Sequence, residues 1–379
     1  MSKEIQAILM LSGMIIGVGM FAIPFSFSVA GFWLGALELC VLAIAILAVH
    51  ISYGEVVLHT NERHRLPGYV RKYMGDRAAF VASASVFFGA AGTLLAYMLI
   101  GGVFLHGLVQ ESIPVSSPAF WSVVLAGIGA VVTFFPLGKK ARITSMMTAF
   151  LIIFLILLIG FLLPRVHRVN LGGFHAIHAF APYGVLLFAL AGATAVPEVV
   201  LFLKGTRRRT RQVIAFGSLM PAALYFLFAL AVVGVSGGNV SPDAIAGLLP
   251  VAGRGIVTLG NIIGLLAVTT AYIILNSNFQ WFLTLDLGVS RRMAWAGGSF
   301  LPLFLFILGF QSFIAVISIV GATTVAIDGA LILATYHTIL HRREKSITLA
   351  DTIRFGLLYA IMITGIGYEL YRFVFSYIV

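Results

Sequence analysis

Residues 12 to 26 read Ser-Gly-Met-Ile-Ile-Gly-Val-Gly-Met-Phe-Ala-Ile-Pro-Phe-Ser, an apolar run interrupted by Gly13, Gly17, Gly19 and Pro24. An ordinary membrane helix does not read this way. In hydrocarbon every backbone N–H and C=O needs a partner inside the protein, so a Gly/Pro break is tolerated only where it lines a cavity or packs within protein. The backbone groups it frees are then available as ligands. A second stretch answers the first: Gly192-Ala-Thr-Ala-Val-Pro197 repeats the glycine-to-proline spacing of Gly19-Met-Phe-Ala-Ile-Pro24, with an alanine in register. Matched breaks in two halves of a membrane chain point to the binding site of a carrier.

Composition agrees with a membrane chain. Hydrophobic residues make up 60% and charged residues 10%, with a mean hydropathy of +1.07, against roughly 45–50% and 25% in soluble domains. The 379 residues, at about 20 per span, leave room for ten to twelve helices with short loops and no separate soluble domain. The apolar segments are 5–29, 31–58, 79–109, 119–137, 143–163, 179–203, 213–235, 254–285, 294–310, 312–337 and 355–378, which makes eleven. The first exceeds the apolar core of a signal peptide, about 7–15 residues, and reads as a span. The single cysteine, Cys40, allows no intrachain disulfide or multi-cysteine metal site and reads as a packing residue.

Basic residues orient the chain. With the N-terminus cytoplasmic, twenty of the lysines and arginines fall inside, among them Lys3, Arg65, Lys139, Lys140, Arg142, Arg207, Arg211, Arg291, Arg342, Arg343 and Lys345, and only Arg165, Arg168, Arg254 and Arg372 fall outside. The positive-inside rule then sets a multi-pass protein of the cytoplasmic membrane, N-terminus inside and C-terminus outside. The net charge of +11 follows from that bias, with the lipid bilayer and its anionic headgroups as partner and no nucleic acid. Residues 59–76 mix apolar and basic side chains as a short interfacial helix does. Outside, Ser241-Pro242-Asp243 has the pattern of a helix start running to Leu249.

Two further stretches carry an internal repeat. Gly19 and Gly192 are 173 residues apart, and Leu95-Ala96-Tyr97-Met98-Leu99 resembles Thr270-Ala271-Tyr272-Ile273-Ile274 at an offset of 175. Both offsets fit a duplication of five spans, and an odd number of spans forces the second copy to enter the membrane from the other side. The expected organisation is a five-helix repeat over 1–163, an inverted copy over 164–345, and an eleventh helix over 346–379.

The first span, Gly13-Met-Ile-Ile-Gly17-Val-Gly19-Met-Phe-Ala-Ile-Pro24, resembles the unwound first helix of the amino acid/polyamine/organocation superfamily. Phe188-Ala-Leu-Ala-Gly192-Ala-Thr-Ala-Val-Pro197-Glu198 and Leu66-Pro-Gly-Tyr-Val-Arg-Lys-Tyr73 look like the hydroxy/aromatic amino acid permeases and the amino acid/auxin permeases. The resemblance implies an all-α polytopic membrane protein with the LeuT-type fold: a 5+5 inverted repeat with an added eleventh helix, the first and sixth helices broken.

The chemistry of the breaks follows from the backbone. A zwitterionic amino acid needs N–H donors for its carboxylate and C=O acceptors for its ammonium, and a broken helix offers both. The amides at Gly17, Val18 and Gly19 open a half-helix whose dipole is positive there, which suits the carboxylate. Carbonyls near Ile15 and Ile16, and those of Phe188, Ala189 and Ala191 before the second break at Gly192, suit the ammonium or a cation. The resemblance assigns the same roles and places Tyr97, in the third span, against the substrate; packing at a helix interface is the plainer role for that tyrosine.

The driving ion stays open. In sodium-coupled members of the fold a hydroxyl pair, resembled here by Thr269 and Thr270, faces carbonyls carried by Gly13, Ile16 and Leu266. Membrane threonines also commonly bond carbonyls of their own helix. Protons would instead use intramembrane carboxylates, Glu38 and Asp328, with Glu198 a third candidate that pairs equally well with a basic residue. The resemblance's other device, a lysine in the fifth span standing in for sodium, is absent. His50, His59, His106, His337 and His341 show no ligand spacing and sit mostly near span ends. No cofactor is expected beyond sodium as a coupling ion, and no other metal.

Nothing in the chain has the pattern of a nucleophile elbow, a phosphate loop or a zinc motif, so no enzymatic activity is expected. A channel would need a repeated polar pore lining. The expectation is a monomeric secondary active transporter of a neutral amino acid, aromatic or hydroxylated, working by alternating access and coupled to H+ or Na+. Uncoupled exchange is the alternative, and an ion channel the more distant one.

Overall fold

The computed structural model describes residues 2–60, 62–135, 140–342 and 349–376. Among them the regular structure is entirely helical. Each of the eleven apolar segments is built on helix. In order these are α1 (Lys3–Ile15) and α2 (Ile23–Ala30), α3 (Phe32–Leu58), a short α4 (Leu66–Met74), α5 (Asp76–Val109), α6 (Pro118–Phe134) and α7 (Lys140–Leu162). Then follow α8 (Ala181–Leu190) and α9 (Val196–Leu203), α10 (Arg207–Ser236), α11 (Leu249–Trp281), α12 (Arg291–Ile307), α13 (Phe313–Val320) and α14 (Ala326–Arg342), and α15 (Leu349–Ser376). Among the described residues six helical stretches are long and apolar enough to cross a bilayer, and α1 with α2 makes a seventh, bent by 52°. Shorter apolar helices cover Pro118–Phe134 and Ala149–Arg165.

The helix starts obey local rules. The side chains of Ser2, Ser117, Thr206, Ser290 and Ser312 each accept an amide hydrogen of the turn they open, which satisfies a donor the helix cannot. α4 carries Pro67 in its first turn, buries Tyr69 and Val70, and leaves Arg71 and Lys72 exposed, the amphipathic layout expected of residues 59–76. The expected helix from Ser241 to Leu249 does not form. Ser241 Oγ and Asp243 Oδ2 do accept amides, from Gly247 at 2.8 Å and Ala246 at 2.9 Å, but Ala244 is left-handed at φ 57. Only a 3-10 turn, Ala246–Leu248, precedes α11.

Helix starts repeat along the chain. Val196 follows Ile23 by 173 residues, Leu249 follows Asp76 and Arg291 follows Pro118 by the same 173, and Arg207 follows Phe32 by 175. The pairs interlock: α2 packs on α8, α1 on α9 and α10, and α3 on α8, α9, α10 and α14, while α5 lies against α6 and α11. The apolar core runs through this intersection, from Ala7 and Leu11 through Phe21 and Phe27 to Leu186 and Phe228. Cys40, expected to pack inside, is exposed, because it shares an outward face of α3 with Leu37, Val41 and Ile44. Lys139, Arg343, Lys345, the 345/346 boundary and the C-terminal end lie outside the described residues, as do the side chains of Lys140, Arg142 and Arg372.

Candidate functional site

The two interruptions are built alike. α1 stops at Ile15; Ile16 turns extended at ψ 92 while its amide still reaches Ser12 O, and Gly17 is fully extended. A 3-10 turn, Val18–Ala22, then feeds α2, with Pro24 in the first turn. In the second stretch α8 stops at Leu190, Ala191 is extended at ψ 119, and a 3-10 turn, Ala193–Ala195, feeds α9 with Pro197 in its first turn. Each break therefore joins the carbonyl-rich end of one helix to the amide-rich start of the next. Proline fits at that start because its missing N–H would be unpaired there anyway.

The breaks lie against each other. A β-carbon on Gly19 would sit 2.9 Å from Ala189 Cα and from Phe188 Cδ1, and one on Gly192 would meet Ile15 Cγ1 at 2.5 Å and His50 Cε1 at 3.2 Å. At Gly17 the nearest atom is the Ile15 carbonyl oxygen, 3.8 Å away, so that side is open. Val18 and Gly19 are buried, Gly17 and Phe188 partly so, and Ala189 is buried beside Ala191 and Gly192. Nine residues singled out from the sequence thus fall in two places. Ile15, Gly17, Val18, Gly19, Phe188, Ala189, Ala191 and Gly192 meet at the breaks, and Tyr97 is carried on α5, partly buried against the apolar core.

Tyr225 itself escaped the sequence reading. It stands on α10, is 0% exposed, and its hydroxyl lies 2.7 Å from the Ile15 carbonyl and 3.2 Å from that of Ala189. The signal for this region was Pro221, one turn earlier in the helix interior. Proline has no N–H to give Gly217 O, four residues back, and Ser12 Oγ of α1 donates to that carbonyl at 2.9 Å. The neighbouring Ser218 Oγ lies 2.9 Å from His50 Nδ1. His50, read with the other histidines as lying mostly near span ends, is instead buried at 1% exposure beside Gly192. Farther along α3, Glu55 Oε1 accepts from Nε of both Arg207 and Arg211 at 2.6 Å, tying α3 to the start of α10.

The ion candidates are more dispersed. Gly13 is partly buried on α1, and Ile16 is buried just past its end. On α11, Leu266 is 49% exposed and its carbonyl accepts the Thr270 hydroxyl at 2.7 Å; Thr269 is partly buried. Glu38 and Asp328 are partly buried, with Glu38 Oε2 and Asp328 Oδ1 enclosed and without a hydrogen bond. Glu198 is exposed in the first turn of α9.

A helical membrane bundle with two interrupted helices packed against each other is the architecture of LeuT-type secondary transporters. Mhp1, a nucleobase-cation-symport-1 family transporter, in a closed conformation with bromovinylhydantoin bound, superposes with a TM-score of 0.66 at 11% identity, covering 96% of this chain and 90% of its own. MhsT in complex with L-phenylalanine gives 0.62 at 14%, covering 96% and 97%, and inward-facing Mhp1 gives 0.67 at 10%, covering 96% and 88%. No curated protein sequence matches the chain. The chain belongs to the tryptophan/tyrosine permease family, whose sequence profile matches residues 1–277. It is a multi-pass membrane permease for an amino acid or similar small solute, and not an enzyme.

Proposed function

We propose that this permease concentrates a zwitterionic amino acid with an aromatic side chain by alternating access, holding it on backbone groups at the two breaks. The observation that carries the reading is the meeting of the breaks, Gly19 against Ala189 and Gly192 against Ile15. That arrangement sets half-helix amides and half-helix carbonyls around one region, complementary to a carboxylate and an ammonium without any fixed charge. The family and the L-phenylalanine bound by MhsT support an aromatic side chain. Protons are the better-supported driver. Leu266 is half exposed and its carbonyl already accepts the Thr270 hydroxyl of the same helix, whereas Glu38 and Asp328 each enclose a carboxyl oxygen with no donor. The test is uptake of labelled tryptophan, tyrosine, phenylalanine and serine into proteoliposomes with proton and sodium gradients imposed separately. Accumulation of the aromatic substrates should follow the proton gradient, and Asp328→Asn or Glu38→Gln should lose accumulation yet keep exchange. Accumulation driven by sodium alone, and lost in Thr269→Ala/Thr270→Ala, would overturn the proton reading; accumulation that needs neither gradient would leave uncoupled exchange.

A further inference from the structure

Two helices end at the breaks, α1 at Ile15 and α8 at Leu190. The C-terminal end of a helix is the negative end of its dipole, and its last carbonyls have no donor within the helix. Two such ends brought to one point make a strongly electronegative position, of the kind that ordinarily draws a cation. The carbonyls of Ile15 and Ala189 converge in this way, and what stands between them is the neutral hydroxyl of Tyr225, at 2.7 and 3.2 Å. Tyr225 reaches them from a third helix, α10, and is 0% exposed.

We propose that the Tyr225 hydroxyl is the resident occupant of a cation position, standing where an alkali ion or the substrate's ammonium would otherwise bind. A phenol carries one hydrogen, so it donates to the nearer Ile15 carbonyl and leaves Ala189 O only weakly held. Its neutral dipole offsets the two helix ends without adding a charge, and the position is filled whether or not substrate is present. Tyr225 acts here as a positioning residue: it fixes the ends of α1 and α8 relative to each other, and it confines the substrate's ammonium to the carbonyls beyond it. The proposal builds on the reading of the breaks as the substrate site, but the cation position itself is read from the Ile15 and Ala189 carbonyls.

The test is therefore made first without substrate. Tyr225→Phe keeps the ring and deletes one oxygen, leaving a hole close to the size of a water molecule between two carbonyls at negative helix ends. Thermal unfolding of the purified, detergent-solubilised protein is measured in choline chloride, lithium chloride and sodium chloride at equal ionic strength. The Tm of Tyr225→Phe should fall in choline and recover in sodium or lithium, because an ion that binds only the folded state stabilises it by mass action. The parent should show no matching recovery. An equal cation response in parent and variant, or an unchanged Tm in the variant, overturns the proposal. Tyr225→Leu, which removes the ring as well, bares the same two carbonyls in a larger hole: it should lose more Tm than Tyr225→Phe in choline and still gain Tm in sodium or lithium, and a variant pair in which neither responds to the cation overturns the proposal. In a second arm, affinity for a labelled aromatic amino acid should drop about tenfold in Tyr225→Phe in choline, the scale of one hydrogen bond, and recover in sodium. If the parent binds no amino acid the functional reading fails, while the Tm comparison still decides the role of Tyr225.

Discussion

At Gly19 a β-carbon would lie 2.9 Å from the Cα of Ala189, a backbone atom that cannot step aside, whereas at Gly17 the same atom would meet only a carbonyl oxygen at 3.8 Å. Two glycines two residues apart therefore have different reasons to be glycine. Gly19 is a contact between the breaks, and Gly17, in extended backbone that any residue adopts, faces open space. Gly19→Val should abolish substrate binding and lower the Tm, because its side chain drives into the Ala189 backbone, while the protein still inserts into the membrane. Gly17→Ala should keep the Tm within a degree or two and show its effect, if the amide beside it holds the carboxylate, as a raised KM with kcat unchanged. Paired uptake and thermal-shift measurements check both; binding by Gly19→Val within twofold of the parent would remove the contact from the site. The glycines and prolines were legible in the sequence because helix breaking is local chemistry. Tyr225 was not, since its acceptors lie 210 and 36 residues away and nothing in its neighbourhood distinguishes it from a core tyrosine.

Among the described residues two helices contain an internal proline, and both are repaired from outside. Pro221 in α10 leaves Gly217 O to the Ser12 hydroxyl, and Pro302 in α12 leaves Gly298 O to Asn276 Nδ2 at 3.1 Å. Each proline thus converts a bond within one helix into a bond between two, which binds α1 to α10 and α11 to α12. Ser12→Ala should orphan a buried carbonyl and cost about 1–3 kcal/mol. In a Pro221→Ala background the restored amide serves Gly217 instead, so the same Ser12→Ala change should cost much less. A double-mutant cycle on unfolding midpoints measures the difference, and equal costs in both backgrounds would show that Pro221 does not govern this bond. The prolines are visible in the sequence. Which side chain repairs each one depends on which helix is adjacent, and a single sequence does not encode adjacency in any short-range pattern.

For the molecule as a whole, the offset of 173 between helix starts, with 175 for α3 and α10, extends what two glycines and two tyrosines suggested to four pairs of elements. The regularity survives even though side-chain identity does not, because segment length is set by the thickness of the membrane and by turn geometry rather than by particular residues. Two copies of five spans return the chain to the side it started from and the eleventh helix crosses once more, which gives the topological prediction: the N-terminus is cytoplasmic and the C-terminus external. With exposed Cys40 replaced by serine, single cysteines introduced at Ser2 and at the C-terminal end should react with an impermeant maleimide from opposite sides of sealed vesicles. Labelling of both from one side would rule out the arrangement. Polar ties such as Glu55 with Arg207 and Arg211 follow only once the copies are docked, which is why no sequence pattern announced them.

The bond from Tyr225 to Ile15 spans 210 residues of chain, and that separation has a consequence during synthesis. At about 5–20 residues per second the ribosome delivers Tyr225 roughly 10–40 s after Ile15. For that interval α1 lies in or beside the bilayer with its terminal carbonyl lacking Tyr225, Ser12 lacks its acceptor on α10 until shortly before the end of it, and Gly19 lacks Ala189 for most of it. The newborn first helix is thus an incomplete object, poorly suited to lipid, that must be sheltered in the insertion machinery or held at the interface until the seventh apolar segment arrives. Truncated nascent chains should show this directly: those ending before α10 should remain crosslinkable at Gly17 to the translocation channel, and those extending past α10 should be released.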